Sequence, residues 1–207
     1  MMKDRTHPRI CIAVLAALMA VASIAFASTV AGQTTTAPQY EGNLLRMPVG
    51  FETWVFVGSN LGMSYKPELP AMTSLEASRA DERLFHNVYI NPEAYAHFAA
   101  TREFPEPTIL VMEVYTAADK EPKGVLASGV FNNQRVGLEV AVKNSRRPDG
   151  GTPWAYYTFI RRSNPSIVHN PARAHPPEDQ CESCHKAHAS TDNVWVQFYP
   201  ILRRFVR

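Results

Sequence analysis

Three cysteines in 207 residues are too few for a fold held by a disulfide framework. Neither sign of charge dominates, with 21 Lys and Arg against 19 Asp and Glu, so no strongly charged partner is implied. No basic stripe runs along the chain, which argues against nucleic acid as a partner. No internal repeat is visible, and the length suits one ordinary domain and hardly two.

The one long apolar run stands at the N-terminus. Lys3, Arg5 and Arg9 precede the almost purely apolar stretch Ile10 to Ala22, and small residues follow. Ala25-Phe26-Ala27 and Thr29-Val30-Ala31 are cleavage sites of the expected kind, so residues 1–31 read as a signal peptide and the mature protein is expected in the periplasm. A retained membrane anchor is the alternative, because residues 10–27 fall only slightly short of the roughly 20 needed to span. Cys11 lies inside this run, and His7-Pro8-Arg9-Ile10 before it is no lipidation signal. Cleavage removes three basic residues and one acidic residue, leaving eighteen of each and a near-neutral protein.

The two remaining cysteines occur as Cys181-Glu182-Ser183-Cys184-His185, a C-x-x-C-H motif. On one turn of helix, thiols three residues apart can each reach one vinyl group of a haem, and the following histidine then lies beneath the iron. One haem c, attached through Cys181 and Cys184 with His185 as the iron ligand, is the expected cofactor. A thioredoxin-like pair is expected early in a βαβ unit, and none precedes this motif. A zinc site needs a second pair of soft ligands, and a disulfide across two intervening residues is strained.

Residues 32–43 read as a flexible tether and 44–207 as the haem domain. Strands are expected at Trp54 to Val57, Phe85 to Ile90, Thr108 to Thr116, Gly124 to Phe131, Val136 to Lys143 and Trp154 to Arg161. Residues 58–70 read as loop. Asn91-Pro92 opens a helix to about Thr101, with Asn91 as its N-cap. Residues 164–179 read as irregular. The motif helix follows, and then a last helix capped by Thr191 or Asp192, with Trp195, Phe198, Tyr199 and Leu202 on one face and a break at Pro200. The sum is α+β, an antiparallel β-sheet with a few helices and a C-terminal haem-binding helix region.

Phe85 to Phe98, Gly137 to Lys143, and the block from Cys184-His185-Lys186 through Thr191-Asp192-Asn193-Val194 to Leu202 resemble the cytochrome P-460 family. The resemblance spans roughly Trp54 to Leu202. It implies an antiparallel sheet, a homodimer, and a five-coordinate haem held by the motif histidine with its other face open. Some members oxidise hydroxylamine, whereas the related cytochromes c-prime-beta bind nitric oxide and carbon monoxide. The resemblance further implies, in the enzymes, a lysine joined to the haem just after the Tyr-x-His-aromatic segment. Here Ala99 and Ala100 stand there, with Lys120 the closest lysine downstream. This favours a small nitrogen-containing or diatomic ligand, or transfer of single electrons to a redox partner protein. Hydroxylamine oxidation is the alternative, and a peroxidase the third reading.

Several further residues are candidates for the site. His86, His97, His169 and His175 could supply a sixth ligand, His188 a contact at the haem edge, and Met47, Met63, Met72 or Met112 a thioether. Phe51, Phe85, Phe98, Phe104, Tyr156, Tyr157 and Phe159 could wall an apolar pocket. Arg161-Arg162 and Arg146-Arg147 could hold propionates. Glu139, within an apolar strand, is the candidate distal acid if it faces the pocket and an ordinary surface group if it faces outward.

Overall fold

The computed structural model describes residues 36–63, 83–120, 124–125 and 127–206. The signal peptide, the first part of the tether, Met72 and most of the expected loop after Gly58 lie outside the described residues. None of the described helices is long and apolar enough to cross a membrane.

Strands β1 (Tyr40–Glu41), β2 (Leu44–Leu45), β3 (Val55–Leu61) and β4 (Leu84–Ile90) come first, and β1 falls within the stretch read as tether. Helix α1 (Pro92–Thr101) follows, then β5 (Thr108–Lys120), β6 (Gly129–Lys143), β7 (Trp154–Arg161), β8 (Asn164–Val168) and β9 (Ala172–Arg173). Helix α2 (Gln180–His188), a 3₁₀ turn at Val196–Phe198 and the short helix α3 (Pro200–Arg203) complete the chain. Strands β3 to β8 form one six-stranded sheet in chain order, antiparallel throughout, and β1, β2 and β9 form a small second sheet. The α+β expectation holds.

Side chains alternate across a strand, so the register sorts them onto two faces. Val88, Met112, Glu139 and Thr158 are paired partners across four strands, and Ile90, Leu110, Ala141 and Tyr156 form the next row on the same face. That face carries one buried cluster, completed by Ala94 and Phe98 of α1 and by Val194, Val196, Tyr199 and Leu202 from the chain's last segment. Leu138, Val140, Val142, Ala155, Tyr157 and Phe159 point the other way into a second cluster with Leu45 and Phe51.

Several elements depart from expectation. The strands expected at Gly124 to Phe131 and Val136 to Lys143 are one strand, β6, and β5 runs to Lys120 beside it. Strand β3 extends through Gly58 to Leu61, where a loop was expected, because β4 supplies backbone partners as far as Phe85. Residues 164–179 contain β8 and β9. Asn91 does not cap α1 through its side chain. Its Oδ1 instead accepts the buried Ile109 N–H at 2.8 Å, tying the helix start to β5. The expected last helix is two short pieces. Asp192 and Asn193 both adopt left-handed backbone, φ 44° and 60°, forming a turn closed by a bridge between Thr191 and Val194. Asn and Asp tolerate that conformation better than other side-chain-bearing residues. Pro200 breaks the segment as expected and occupies the first turn of α3.

Candidate functional site

A cavity of about 310 Å³ lies between the sheet and the chain's last segment. The sheet supplies His86, Val88, Met112, Glu139 and Tyr156, and the C-terminal segment supplies Cys181, His185, Trp195, Phe198 and Tyr199. Its walls are mostly apolar, as small-ligand and cofactor sites are.

Helix α2 positions the motif. Cys181 and Cys184 are three residues apart on it, hence on one face, and both thiols are free. Cys181 packs against the first cluster, and burial, helped by the nearby Glu139 carboxylate, pushes its thiol up to about 12. His185 comes from the next position and its ring lines the cavity. The Asn193 carbonyl, aimed by the left-handed turn, accepts from His185 Nδ1 at 2.7 Å. That bond places the proton on Nδ1 and leaves the Nε2 lone pair outward, the arrangement metal-ligating histidines adopt. Burial lowers the His185 pKa, which keeps the ring neutral. The Nε2 lone pair accepts the Trp195 indole N–H at 3.0 Å, and the Tyr156 ring packs 4.6 Å away.

On the sheet wall, Glu139 faces the cavity rather than solvent, in the same row as Met112 and Thr158. Its neighbours Leu138 and Val140 fill the second cluster, so the strand's alternation forces Glu139 onto the cavity side. His86 also lines the cavity and is 8% exposed. Its Nδ1 is buried with no hydrogen-bond partner, and burial, with Arg162 adding, holds its pKa down at about 4. His175 lines the cavity too, but both its nitrogens are engaged, Nδ1 with Asp179 at 3.2 Å and Nε2 with the Thr158 hydroxyl at 2.8 Å. A carboxylate only accepts, so Nδ1 donates, and the pair of bonds straps the start of α2 to β7.

The other candidates are sorted by the same geometry. Met63 and Met112 reach the cavity, whereas Met47 packs on the second cluster. His97, His169 and His188 are exposed and do not line it. Of the seven aromatic residues expected to wall it, Tyr156 turns its side chain to the cavity, and Tyr157 touches it from β7 while its side chain packs in the second cluster. Phe98 and Phe104 stack on each other at 4.2 Å within the first cluster, Phe51 and Phe159 belong to the second, and Phe85 lies on the opposite sheet face. Trp195, Phe198 and Tyr199 take their place, read earlier only as a helix face. Arg162 lines the cavity, but Arg147 is buried elsewhere against Asp149 and the Trp154 carbonyl, and Arg146 and Arg161 are exposed. Helix α1, with Ala99 and Ala100, contributes nothing to the lining. Among the described lining residues there is no lysine.

These residues fit a haem. The Cys181 thiol and an imidazole of fixed tautomer line a mostly apolar cavity, and Cys184 stands on the same helix face beside them, outside the lining. One adjustment is required, since a metal on Nε2 takes the lone pair that now accepts from Trp195. Among the described residues no group of three or more His, Cys, Asp or Glu converges to hold a bare metal ion. No curated protein matches the chain. A model of the cytochrome P460 family matches residues 48–196, which covers both the sheet wall and the motif. The chain therefore belongs to the cytochrome P460 family, a family of haem-binding cytochromes.

Proposed function

We propose that this protein is a periplasmic cytochrome with one haem c, bonded through Cys181 and Cys184 and ligated by His185, that binds a small nitrogen-containing or diatomic ligand and exchanges single electrons. The observation that carries this reading is the His185 ring, neutral, locked by the Asn193 carbonyl and placed on the cavity one residue after Cys184. Haem held there supplies a metal with one coordination position left for a ligand and a centre that gains or loses one electron. The apolar side chains Val88, Met112 and Leu110 exclude bulk water and favour small neutral ligands such as nitric oxide. The family resemblance supports a homodimer.

Hydroxylamine oxidation is the second reading. Glu139 favours it, because the reaction releases protons with its electrons and a cavity carboxylate can accept them. The lining's lack of lysine among the described residues favours the first reading.

Expression of the full chain with cytochrome c maturation factors tests this. We expect export, one haem per chain that survives denaturing electrophoresis, loss of that haem in Cys181→Ala and Cys184→Ala, and an optical shift with nitric oxide. Catalytic turnover of hydroxylamine with an artificial oxidant, abolished in Glu139→Gln, would establish the second reading instead. A colourless product with free thiols defeats both.

A further inference from the structure

We propose that His86 and Arg162 form a binding site for small acids of the type H–X that are about as acidic as a carboxylic acid, hydrazoic acid among them, His86 taking the proton and Arg162 facing the anion. The inference rests on the cavity being a ligand pocket, as proposed above, and assigns its chemistry on the sheet wall.

Three observations carry it. His86 is almost fully buried on the cavity, and its Nδ1 has no partner, which is costly for a polar atom unless a ligand completes it. Next, the register puts His86 of β4 opposite Val114 of β5, and Val114 opposite Gly137 of β6. Gly137 has no side chain, and Arg162 lies in the space so left, its Cγ 3.4 Å from where a Cβ would stand. The Arg162 stem thus lies over Gly137, in the same row of the sheet as His86, and its charge acts on that ring. Finally, His86 is neutral at ordinary pH, so it has a lone pair to offer.

The step balances without any redox partner. The H–X bond breaks, its proton goes to the imidazole, and the electron pair stays on X, whose charge lies beside the guanidinium. The other ionisable groups sharing the cavity are Glu139 from β6, Tyr156 and Tyr157 from β7, and His175, Cys181, His185 and Tyr199 from the C-terminal wall. His175 has both nitrogens engaged, His185 and Cys181 belong to the haem attachment, and Tyr156 at neutral pH already holds its proton. Glu139 is the rival acceptor.

Azide binding to the matured, oxidised full-length protein decides between them. The heat of binding is measured in two buffers of different protonation enthalpy, alongside the optical titration. We expect uptake of about one proton per azide near neutral pH, and an azide affinity that falls about tenfold for each unit of pH rise in that range. His86→Gln should lose the uptake, and Arg162→Gln should weaken azide binding while the uptake persists. Covalent haem retained in each variant shows that it has folded. Azide binding without proton uptake overturns the inference, as does failure of azide to bind, or uptake that disappears in Glu139→Gln but persists in His86→Gln. Absence of covalent haem instead removes the reading of the cavity itself.

Discussion

His86 makes a stability prediction separate from any ligand. Unfolded, its imidazole takes a proton below about pH 6.5, whereas in the fold it stays neutral down to about 4. Between those values the unfolded chain binds more protons, so stability falls as the pH drops through that window, by up to about 3 kcal/mol. Urea unfolding at pH 7 and near pH 4.5 should show this loss, and His86→Gln should flatten it. Asn193 acts through its backbone, at φ 60°, in aiming its carbonyl at His185. Asn193→Ala should cost about 1–2 kcal/mol, as a left-handed residue with a Cβ, while Asn193→Gly should be tolerated. The alanine variant should also attach haem less completely, measured as haem per chain. Trp195 differs between the two states of the protein. Trp195→Phe removes its N–H, and should destabilise the haem-free chain by about 1 kcal/mol. With the proposed ligation, which would put the Nε2 lone pair on the metal, the loaded protein should lose no such bond, and urea titration of both forms checks the contrast.

At the level of elements, α1 and the cavity are separate. Phe98→Ala should cost about 3–5 kcal/mol, because Phe98 is fully buried and stacked on Phe104. The optical spectrum of the folded fraction should stay unchanged, since α1 does not line the cavity. Gly58 has the opposite character. A Cβ there would stand 2.9 Å from the Pro200 side chain, so Gly58→Ala pushes α3 off β3 and moves the Phe198 and Tyr199 wall. We expect a loss of about 1–3 kcal/mol together with a changed ligand-binding spectrum. Trp154 to Arg161 and Pro92 to Thr101 were legible in the sequence because alternation and the Asn-Pro helix start are local signals. Strand β6 was read as two strands because its exposed first half, paired only with β5, has no buried face to give a pattern. Thr191-Asp192 imitates a helix cap, and only the packing of Val194 and Val196 into the first cluster turns it into a left-handed turn.

For the whole molecule, the motif was readable because its spacing is local, while the opposite wall was not. Glu139 could have faced either way until the register with Thr158 was fixed. Strand parity put Phe159 into the second cluster and Tyr156 on the cavity, while helix α1 and the loop after it took Phe98 and Phe104 into packing, leaving the rest of the aromatic lining to Trp195, Phe198 and Tyr199. If thioethers hold the haem, it stays on the unfolded chain, and its stabilising effect comes from the apolar surface it buries and the imidazole it engages in the fold, so the loaded protein should unfold at higher urea than the Cys181→Ala, Cys184→Ala double variant.

The six-stranded sheet pairs every strand with its neighbour in the chain. Such a meander can form early and by itself, since no distant segment has to arrive first. The thiols and the imidazole come only after it in the chain, and on the proposed export they would cross the membrane behind it. Maturation machinery would then meet them on a still-loose tail, beside a finished floor, and the pigment would be folded in as the last act of assembly.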